Sequence, residues 1–270
     1  MSAARTLNVI QPQVDAVMYE RIQRELERIE WEYQCEVLFA CESGSRAWGF
    51  ASEDSDYDVR FIYRCAPQDY VRIGKRRDVI ELPIDSELDI SGWDITKAMG
   101  LLRKSNPSLL EWLQSPIVYR QNDAAYAQLL ELAMSSLSAS GLFWHYFSMA
   151  KNNYARLFQN VKKPLMKRYL YVLRPLLCAK WVARYQTMPP VVFDEVVLGT
   201  VRNDKVLSDI EHLLCAKAKS TEKDSFVPTL RLNQMIDTTF ASLEKYKPEK
   251  RVLRDAGSFD KVLHRLVFQS

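Results

Sequence analysis

Residues 36–64 read EVLFACESGSRAWGFASEDSDYDVRFIYR, and this stretch decides the fold that we predict. It opens with a short apolar run bounded by charged residues, which is typical of a buried strand over 36–42. The Gly44-Ser45 dipeptide ends that strand and leads into a short helical piece around Arg46 to Phe50. After a polar loop, a second strand is predicted over 57–64.

The second strand brings two carboxylates to one side of the predicted sheet. Apolar and polar residues alternate along it with a period of two. One face carries Tyr57, Val59, Phe61 and Tyr63, and the other carries Asp56, Asp58 and Arg60. Residues two apart on a strand are separated by about 6.5 Å. Asp56 and Asp58 are therefore predicted to bind one metal ion from the same side.

A third carboxylate is expected on a later strand. Residues 87–92 read ELDISG, and their alternation predicts a strand with Asp89 pointing outward. Glu87 and Asp94 are the alternatives for this position. Asp94 is better explained as the N-cap of a helix that runs to about Lys104. Asp89 is therefore our candidate for the third ligand.

These residues suit phosphoryl transfer with a divalent cation. Mg²⁺ takes oxygen ligands and is usually held by one or two carboxylates together with substrate phosphates. A third carboxylate bridges toward a second ion, and two ions about 3.5–4 Å apart stabilise the attacking and leaving oxygens. At the turn, Gly44 lets the backbone approach phosphate oxygens, and Ser45 adds a hydroxyl donor. Arg46 and Arg60 either contact a nucleotide or pair with the acidic cluster.

The remaining chain divides into an α/β half and a helical half. An amphipathic helix over 12–33 is expected to pack on the sheet, another strand over 78–82, and a helix from Asn106-Pro107 to Gln114. The alternation of strands and helices ends near Pro116. Further helices are predicted over 123–137, 141–160, 164–186, 203–219, 228–246 and 257–268. For residues 188–197 the sequence does not distinguish a short strand from an extended connector.

Composition and charge support a folded protein with a polyanionic partner. Its 270 residues are 47% apolar, enough for a sizeable core. No Asp or Glu occurs between Glu131 and Asp194, whereas nine Lys or Arg residues do. Such a segment indicates a nucleotide or nucleic-acid partner, or else a solvated basic face. Lys151 and Lys167 are the candidates for triphosphate contacts.

Other sequence features exclude several classes of protein. Five cysteines without paired short spacing and three scattered histidines argue against a zinc site and favour free thiols in the cytoplasm. No signal peptide or membrane span is indicated. Aromatic residues of the helical half are expected to pack in its core more than to stack on a base: Tyr169, Tyr171 and Trp181.

The motifs together resemble the DNA polymerase beta superfamily of nucleotidyltransferases, with SGS at 43–45, DYD at 56–58 and LDI at 88–90. More narrowly, GSRAWGFASEDSDYDVRFIY, DISGWDITKA and SNPSLLEWLQSPIVY are similar to the RlaP/YcgL type, which is associated with RNA repair. The resemblance covers at least residues 36–120. It implies an α+β fold with a nucleotidyltransferase-type mixed sheet and flanking helices. We expect this catalytic domain over residues 1–120. An α-helical domain that binds the nucleotide and the acceptor is expected over residues 121–270.

The resemblance also implies an activity. We expect transfer of a nucleoside monophosphate from an NTP to an acceptor with Mg²⁺ or Mn²⁺, two ions in all, releasing pyrophosphate. The basic half favours an RNA 3′ end as acceptor. Two alternatives stay open, namely a protein or small-molecule hydroxyl as acceptor, and a non-catalytic RNA-binding module. The NTP used and the oligomeric state are left undetermined.

Overall fold

The computed structural model describes residues 7, 14–74, 76–83, 87–157, 163–221, 223–250 and 254–269. Residues 12 and 13 of the first predicted helix, residues 158–160 of a later one and Lys162 lie outside these ranges. The chain forms two compact units. The sheet unit comprises Gln13–Ala47, Asp56–Leu137 and Val252–Ser270, and the helical unit comprises Met1–Pro12, Trp48–Ser55 and Ser138–Arg251.

Within the described residues, the sheet unit is built on five strands in the order β3-β4-β2-β1-β5. The strands are β1 (Cys35–Glu42), β2 (Tyr57–Cys65), β3 (Val79–Glu81), β4 (Leu88–Asp94) and β5 (Val118–Gln121). Strand β2 pairs antiparallel with β1 and parallel with β4, so the predicted mixed sheet is confirmed. Strand β5 was not predicted, because its four residues carry too short a pattern to read locally.

Helix α1 (Ala16–Tyr33) covers one face of this sheet, as predicted. The Asp15 side chain caps the helix by accepting hydrogen bonds from the backbone N–H groups of Val17 and Met18. Its buried residues recur at helical spacing: Met18, Ile22, Leu26 and Ile29. They share one apolar cluster with residues of β2, namely Val59, Phe61 and Tyr63. Burial of this stripe holds the helix on the sheet.

Further helices complete the sheet unit. They are α2 (Gly44–Ala47), α3 (Ile95–Arg103), α4 (Pro107–Trp112), α5 (Asp123–Ser135) and α11 (Ala256–Phe268), with a 3-10 turn at Pro67–Tyr70. Asp94 caps α3 and Asn106 caps α4, as predicted. Helix α2 corrects the prediction of a helical piece around Arg46 to Phe50, since it starts at Gly44 and ends before the turn at Trp48.

The helical unit contains α6 (Ala139–Leu157), α7 (Met166–Tyr185), α8 (Phe193–Thr200), α9 (Asp204–Ala218) and α10 (Leu230–Glu244). Helix α7 is buried along most of its length and packs against α6, α8 and α10. Residues 188–197 form neither a strand nor one extended connector, because α8 begins at Phe193. Over the described ranges, no helix is both long and apolar enough to cross a bilayer.

The two compact units do not divide at residue 120, where we predicted the domain boundary. Helix α5 belongs to the sheet unit because it packs on β1, and α11 joins it by packing on α3 and α5. Residues 48–55 belong to the helical unit although they follow the Gly-Ser turn directly. The assignment of catalysis to 1–120 and of acceptor binding to 121–270 stays a prediction.

Candidate functional site

Two of the three predicted carboxylates lie side by side on neighbouring strands. Asp58 of β2 and Asp89 of β4 are direct partners in the parallel register. The Arg60 guanidinium joins them: its Nη2 lies 2.9 Å from Asp58 Oδ1 and 2.7 Å from Asp89 Oδ2. All three side chains are partly exposed, so the pair of carboxylates is open to solvent. The predicted alternative in which Arg60 pairs with the acidic cluster is what the structure shows.

The Gly44 turn lies directly against Asp58. Gly44 has a φ of +63°, and a Cβ added to it would lie 2.1 Å from Asp58 Oδ2. The backbone N–H of Ser43 donates to the Asp58 carbonyl oxygen at 2.8 Å. A side chain at position 44 would collide with the carboxylate and strain the backbone. Glycine is required here for both reasons, and Ser45 follows it within α2.

A buried carboxylate, Glu42, supports Asp58 from inside the sheet unit. Glu42 is 0% exposed. Its Oε1 accepts the Asp58 backbone N–H at 2.9 Å, and its Oε2 accepts the Tyr119 hydroxyl at 2.5 Å. Burial raises the pKa of Glu42 to about 7, although these two hydrogen bonds and the Arg46 guanidinium act in the opposite direction. Burial of the Tyr119 hydroxyl, together with the neighbouring carboxylate of Glu42, raises the pKa of Tyr119.

Sequence reasoning did not assign Glu42 or Tyr119 to the site. Glu42 follows five consecutive buried residues of β1, and an acidic residue that continues such a run is the available signal. Its partner stands 77 residues later on the unpredicted strand β5. The pairing therefore becomes visible only once β5 lies beside β1.

Glu87 and Asp94, the alternatives for the third carboxylate, lie in different environments from that of Asp89. Glu87 is exposed, with Arg21 at 3.8 Å. Asp94 is fully buried, where it caps α3, accepts the Tyr70 hydroxyl at 3.0 Å and pairs with Arg76. Only Asp89 of these three is the register partner of Asp58.

The carboxylates of Asp58 and Asp89 converge, whereas Asp56 does not join them in a group of three. Asp56 is exposed at the end of the loop before β2. Nowhere in the described ranges do three or more His, Cys, Asp or Glu side chains form a group suited to a metal ion. Asp58 and Asp89 nevertheless converge on one cation, the Arg60 guanidinium, and two carboxylates are the usual protein share of a Mg²⁺ site. The pair therefore fits a divalent cation, and the predicted part of Asp56 as a metal ligand beside Asp58 stays a prediction.

A protein-family comparison identifies the kind of protein that carries this site. The model described as "RlaP: RNA repair pathway DNA polymerase beta family" matches residues 18–265. The chain belongs to this family. The family resemblance inferred from the Gly-Ser and carboxylate motifs is thereby confirmed, and the chain is of the polymerase beta nucleotidyltransferase type.

Relatives of this RlaP-family chain include one curated protein and one solved structure. The "Uncharacterized protein YcgL" of Bacillus subtilis (strain 168) is 40% identical over 238 residues, which are 87% of this chain and 91% of YcgL. A crystal structure of a nucleotidyltransferase-like protein from Exiguobacterium sibiricum 255-15 matches 92% of this chain and 80% of its own. That match has 12% sequence identity and a TM-score of 0.30.

In this RlaP-family chain, Arg46 is enclosed by the sheet unit. It is 6% exposed, and its guanidinium lies 3.9 Å from the centre of the Tyr57 ring. Its Nε is 4.0 Å from Glu42 Oε1. The structure thus shows Arg46 beside the carboxylate that supports Asp58. Its contact with a nucleotide stays a prediction.

The loop between the turn and Asp56 is anchored inside the helical unit. The Phe193 N–H donates to the Trp48 carbonyl at 2.9 Å, and the Arg174 guanidinium lies 4.2 Å from the centre of the Trp48 ring. Lys217, 1% exposed, donates from Nζ to Ser52 Oγ at 2.7 Å. Sequence reasoning missed Lys217, although it continues the buried face of α9 that begins with Val206, Ile210 and Leu213.

The predicted phosphate-binding lysines lie on α6 and α7 of the helical unit. Lys151 Nζ is 3.0 Å from Glu244 Oε1, and both side chains are exposed. Lys167 Nζ lies 5.7 Å from the centre of the Tyr171 ring. Tyr169 is buried, with its hydroxyl donating to Asn233, and Trp181 packs against Gly199. Tyr169 thus packs in a core, as predicted, whereas the triphosphate contacts of Lys151 and Lys167 stay a prediction.

Proposed function

We propose that this protein transfers a nucleoside monophosphate from an NTP to the hydroxyl at an RNA 3′ end and releases pyrophosphate. One observation carries the proposal: Asp58 and Asp89 are register partners that converge on a single cation, with the Gly44 turn against Asp58. Family membership supports nucleotidyl transfer, and the family's description supports RNA as the acceptor.

The proposed reaction is an in-line displacement at the α-phosphorus of the NTP. The acceptor hydroxyl oxygen forms a bond to that phosphorus as the bond to the β-phosphate bridging oxygen breaks, and pyrophosphate carries the electron pair away. Asp89 takes the hydroxyl proton. Gly44 and Ser45 hold the triphosphate, with Lys151 and Lys167 as further predicted contacts.

Asp56 and Asp58, with Asp89 as the third carboxylate, would hold two Mg²⁺ or Mn²⁺ ions, which would supply positive charge to the triphosphate. The chain's own part is to hold these carboxylates in place. Glu42 fixes the backbone of Asp58, and Gly44 leaves room for its carboxylate. Arg60 neutralises Asp58 and Asp89 when they face each other.

The test is transfer of label from each of four α-labelled NTPs, with Mg²⁺ or Mn²⁺, to a short RNA. A matched RNA ending in 3′-deoxyribose removes the proposed acceptor hydroxyl. We expect label on the first RNA and none on the second. Asp58→Asn and Asp89→Asn should each lower the rate by about a thousandfold, because several kcal/mol of transition-state stabilisation is lost.

Asp260→Asn on α11 serves as the control, since Asp260 is an exposed carboxylate of the same unit. Label on protein or on a small hydroxylated molecule, with none on RNA, would replace the proposed acceptor. Equal transfer by wild type and Asp58→Asn, or RNA binding without any transfer, would contradict the proposed activity.

A further inference from the structure

Helix α6 presents a line of exposed side chains that the proposed chemistry does not use. Trp144, Ser148, Asn152 and Arg156 are four residues apart, so they follow one face of the helix. All four are exposed, and Trp144 is 50% exposed. The line from first to last is about 18 Å long at the rise of an α-helix. We call it the α6 stripe.

The α6 stripe lies in an open groove of about 620 Å³. His145 and Met149 line the groove beside it. Among the residues that the structure describes, no Asp or Glu lines this groove, and its lining residues belong to the acid-free segment of the sequence. Three other surface grooves each contain carboxylates: one has Glu30 and Glu36, another Asp69 and Glu81, and the third Asp260. The α6 groove therefore lacks the groups that would repel a phosphate backbone.

The polar members of the α6 stripe are available to a ligand. Over the described part of the chain, no side-chain hydrogen bond or ion pair is found for Ser148, Asn152 or Arg156. Lys151, one residue away, differs because it pairs with Glu244. Hydroxyl, amide and guanidinium donors suit phosphate and sugar oxygens, and an exposed indole suits stacking on a base.

We propose that the α6 stripe binds single-stranded RNA, with one base stacked on Trp144 and the backbone running toward Arg156. Stacking and phosphate contacts of this kind tolerate different sequences. A duplex keeps its bases stacked inside and offers no free face to Trp144. The inference rests on the proposed function in taking RNA as the acceptor, and it gives that acceptor a binding surface.

The test measures fluorescence anisotropy of a 5′-labelled 12-nucleotide RNA, in EDTA and without NTP, so that catalysis cannot contribute. We expect Trp144→Ala to raise the Kd about tenfold, within the range for loss of one stacked base, and Trp144→Phe to restore most of the affinity. Arg156→Ala should weaken binding and reduce the slope of log K against log salt by about 0.7, the value for one phosphate contact on a single strand.

Matched controls come from the sheet unit. Trp31, 77% exposed on α1, and Arg24, also exposed there, are replaced by Ala and should leave the Kd unchanged. A hairpin of equal length should bind more weakly than the single strand. Because Trp144 also touches Phe143 and Phe147, thermal unfolding of each variant is measured, and Arg156→Ala tests the stripe without removing an aromatic side chain.

The inference is overturned if wild type does not bind the RNA, or if both Trp144→Ala and Arg156→Ala bind it as wild type does. It is also overturned if these variants lose binding of an acidic peptide and keep that of RNA. Failure of the proposed function can be distinguished from failure of this inference. If RNA binding depends on the α6 stripe but no nucleotide is transferred, only the proposed activity is contradicted. Transfer to RNA that is insensitive to both substitutions removes the stripe alone.

Discussion

The carboxylate pair of the sheet unit and the α6 stripe of the helical unit differ in whether their polar side chains have partners within the protein. Asp58 and Asp89 contact one guanidinium, and Glu42 behind them is fully buried. On α6, Arg156 and Asn152 are exposed without such partners in the described residues. The first region is built before any ligand arrives, whereas the second offers donors to one.

This difference predicts where substitutions are costly. Around Asp58 the polar side chains of Glu42, Arg60 and Asp89 are linked by hydrogen bonds and ion pairs, so one change disturbs several contacts. On the exposed helix face each side chain acts almost independently, because solvent screens its charge. Substitutions around Asp58 should therefore have large effects on stability and catalysis, and those on α6 small effects on stability.

Among substitutions that keep the carboxylates of Asp58 and Asp89, the largest effect is expected for Gly44→Ala. The new Cβ would collide with Asp58 Oδ2, and the left-handed backbone costs a further 1–2 kcal/mol, approximately. We expect nucleotide transfer to fall about a hundredfold, as for a catalytic group displaced by 1 Å. Gly100→Ala on α3 is the control, since nothing lies within 4 Å of the added Cβ there. Equal activities of the two variants would mean that Asp58 is not held against the turn.

Glu42 should make stability depend on pH. Its folded pKa of about 7 lies above the ordinary value of 4.5, so this group's contribution is fully present below about pH 4.5 and is lost as pH rises through 7. Relative to Glu42→Gln, wild type should lose on the order of 2 kcal/mol of unfolding free energy between pH 5 and 8. Urea unfolding across that range checks it, with exposed Glu27→Gln as control. A constant difference between wild type and Glu42→Gln would disprove it.

Arg60→Gln should alter metal binding. Arg60 contacts both Asp58 and Asp89, so in the proposed site it would compete with a divalent cation for these carboxylates. Removing the guanidinium should raise the affinity for Mn²⁺ about tenfold, equivalent to ~1.4 kcal/mol, as measured by calorimetry without nucleotide. Arg77→Gln, which removes an exposed partner of Glu81, is the control. Weaker Mn²⁺ binding in Arg60→Gln would show that the guanidinium organises the carboxylates for the ion.

The smallest effect on stability is expected for Lys151→Ala. Its pair with Glu244 is exposed on both sides, so the free energy of unfolding should change by less than about 1 kcal/mol. If the predicted triphosphate contact is correct, the KM for NTP rises about threefold, the size of one screened ion pair. Arg24→Ala controls for loss of an exposed cation. An unchanged KM would remove Lys151 from the nucleotide site, and a large loss of stability would contradict the comparison of the two regions.

Local patterns in the sequence were sufficient for much of the fold. Period-two alternation located β2 and β4, and helical spacing located α1 with its buried stripe. Cap residues located the starts of α3 and α4. These features depend on neighbours within one or two turns or pleats, which is why they can be read without a structure.

Contacts between distant residues were beyond the same reasoning. Glu42 meets Tyr119 across 77 residues, and Lys217 meets Ser52 across 165. Strand β5 is recognisable as a strand by its pairing with β1 and not by its four residues. Burial of Arg46 likewise depends on Tyr57 and Glu42 closing around it.

The sequence by itself determined the residue types of the candidate site, the strands that carry Asp58 and Asp89, and the family resemblance. Only the tertiary structure decided that these carboxylates are register partners joined by Arg60, and that Gly44 lies against Asp58. The reason is physical. Alternation fixes the face on which a side chain lies, whereas register depends on how separate strands pair across the sheet.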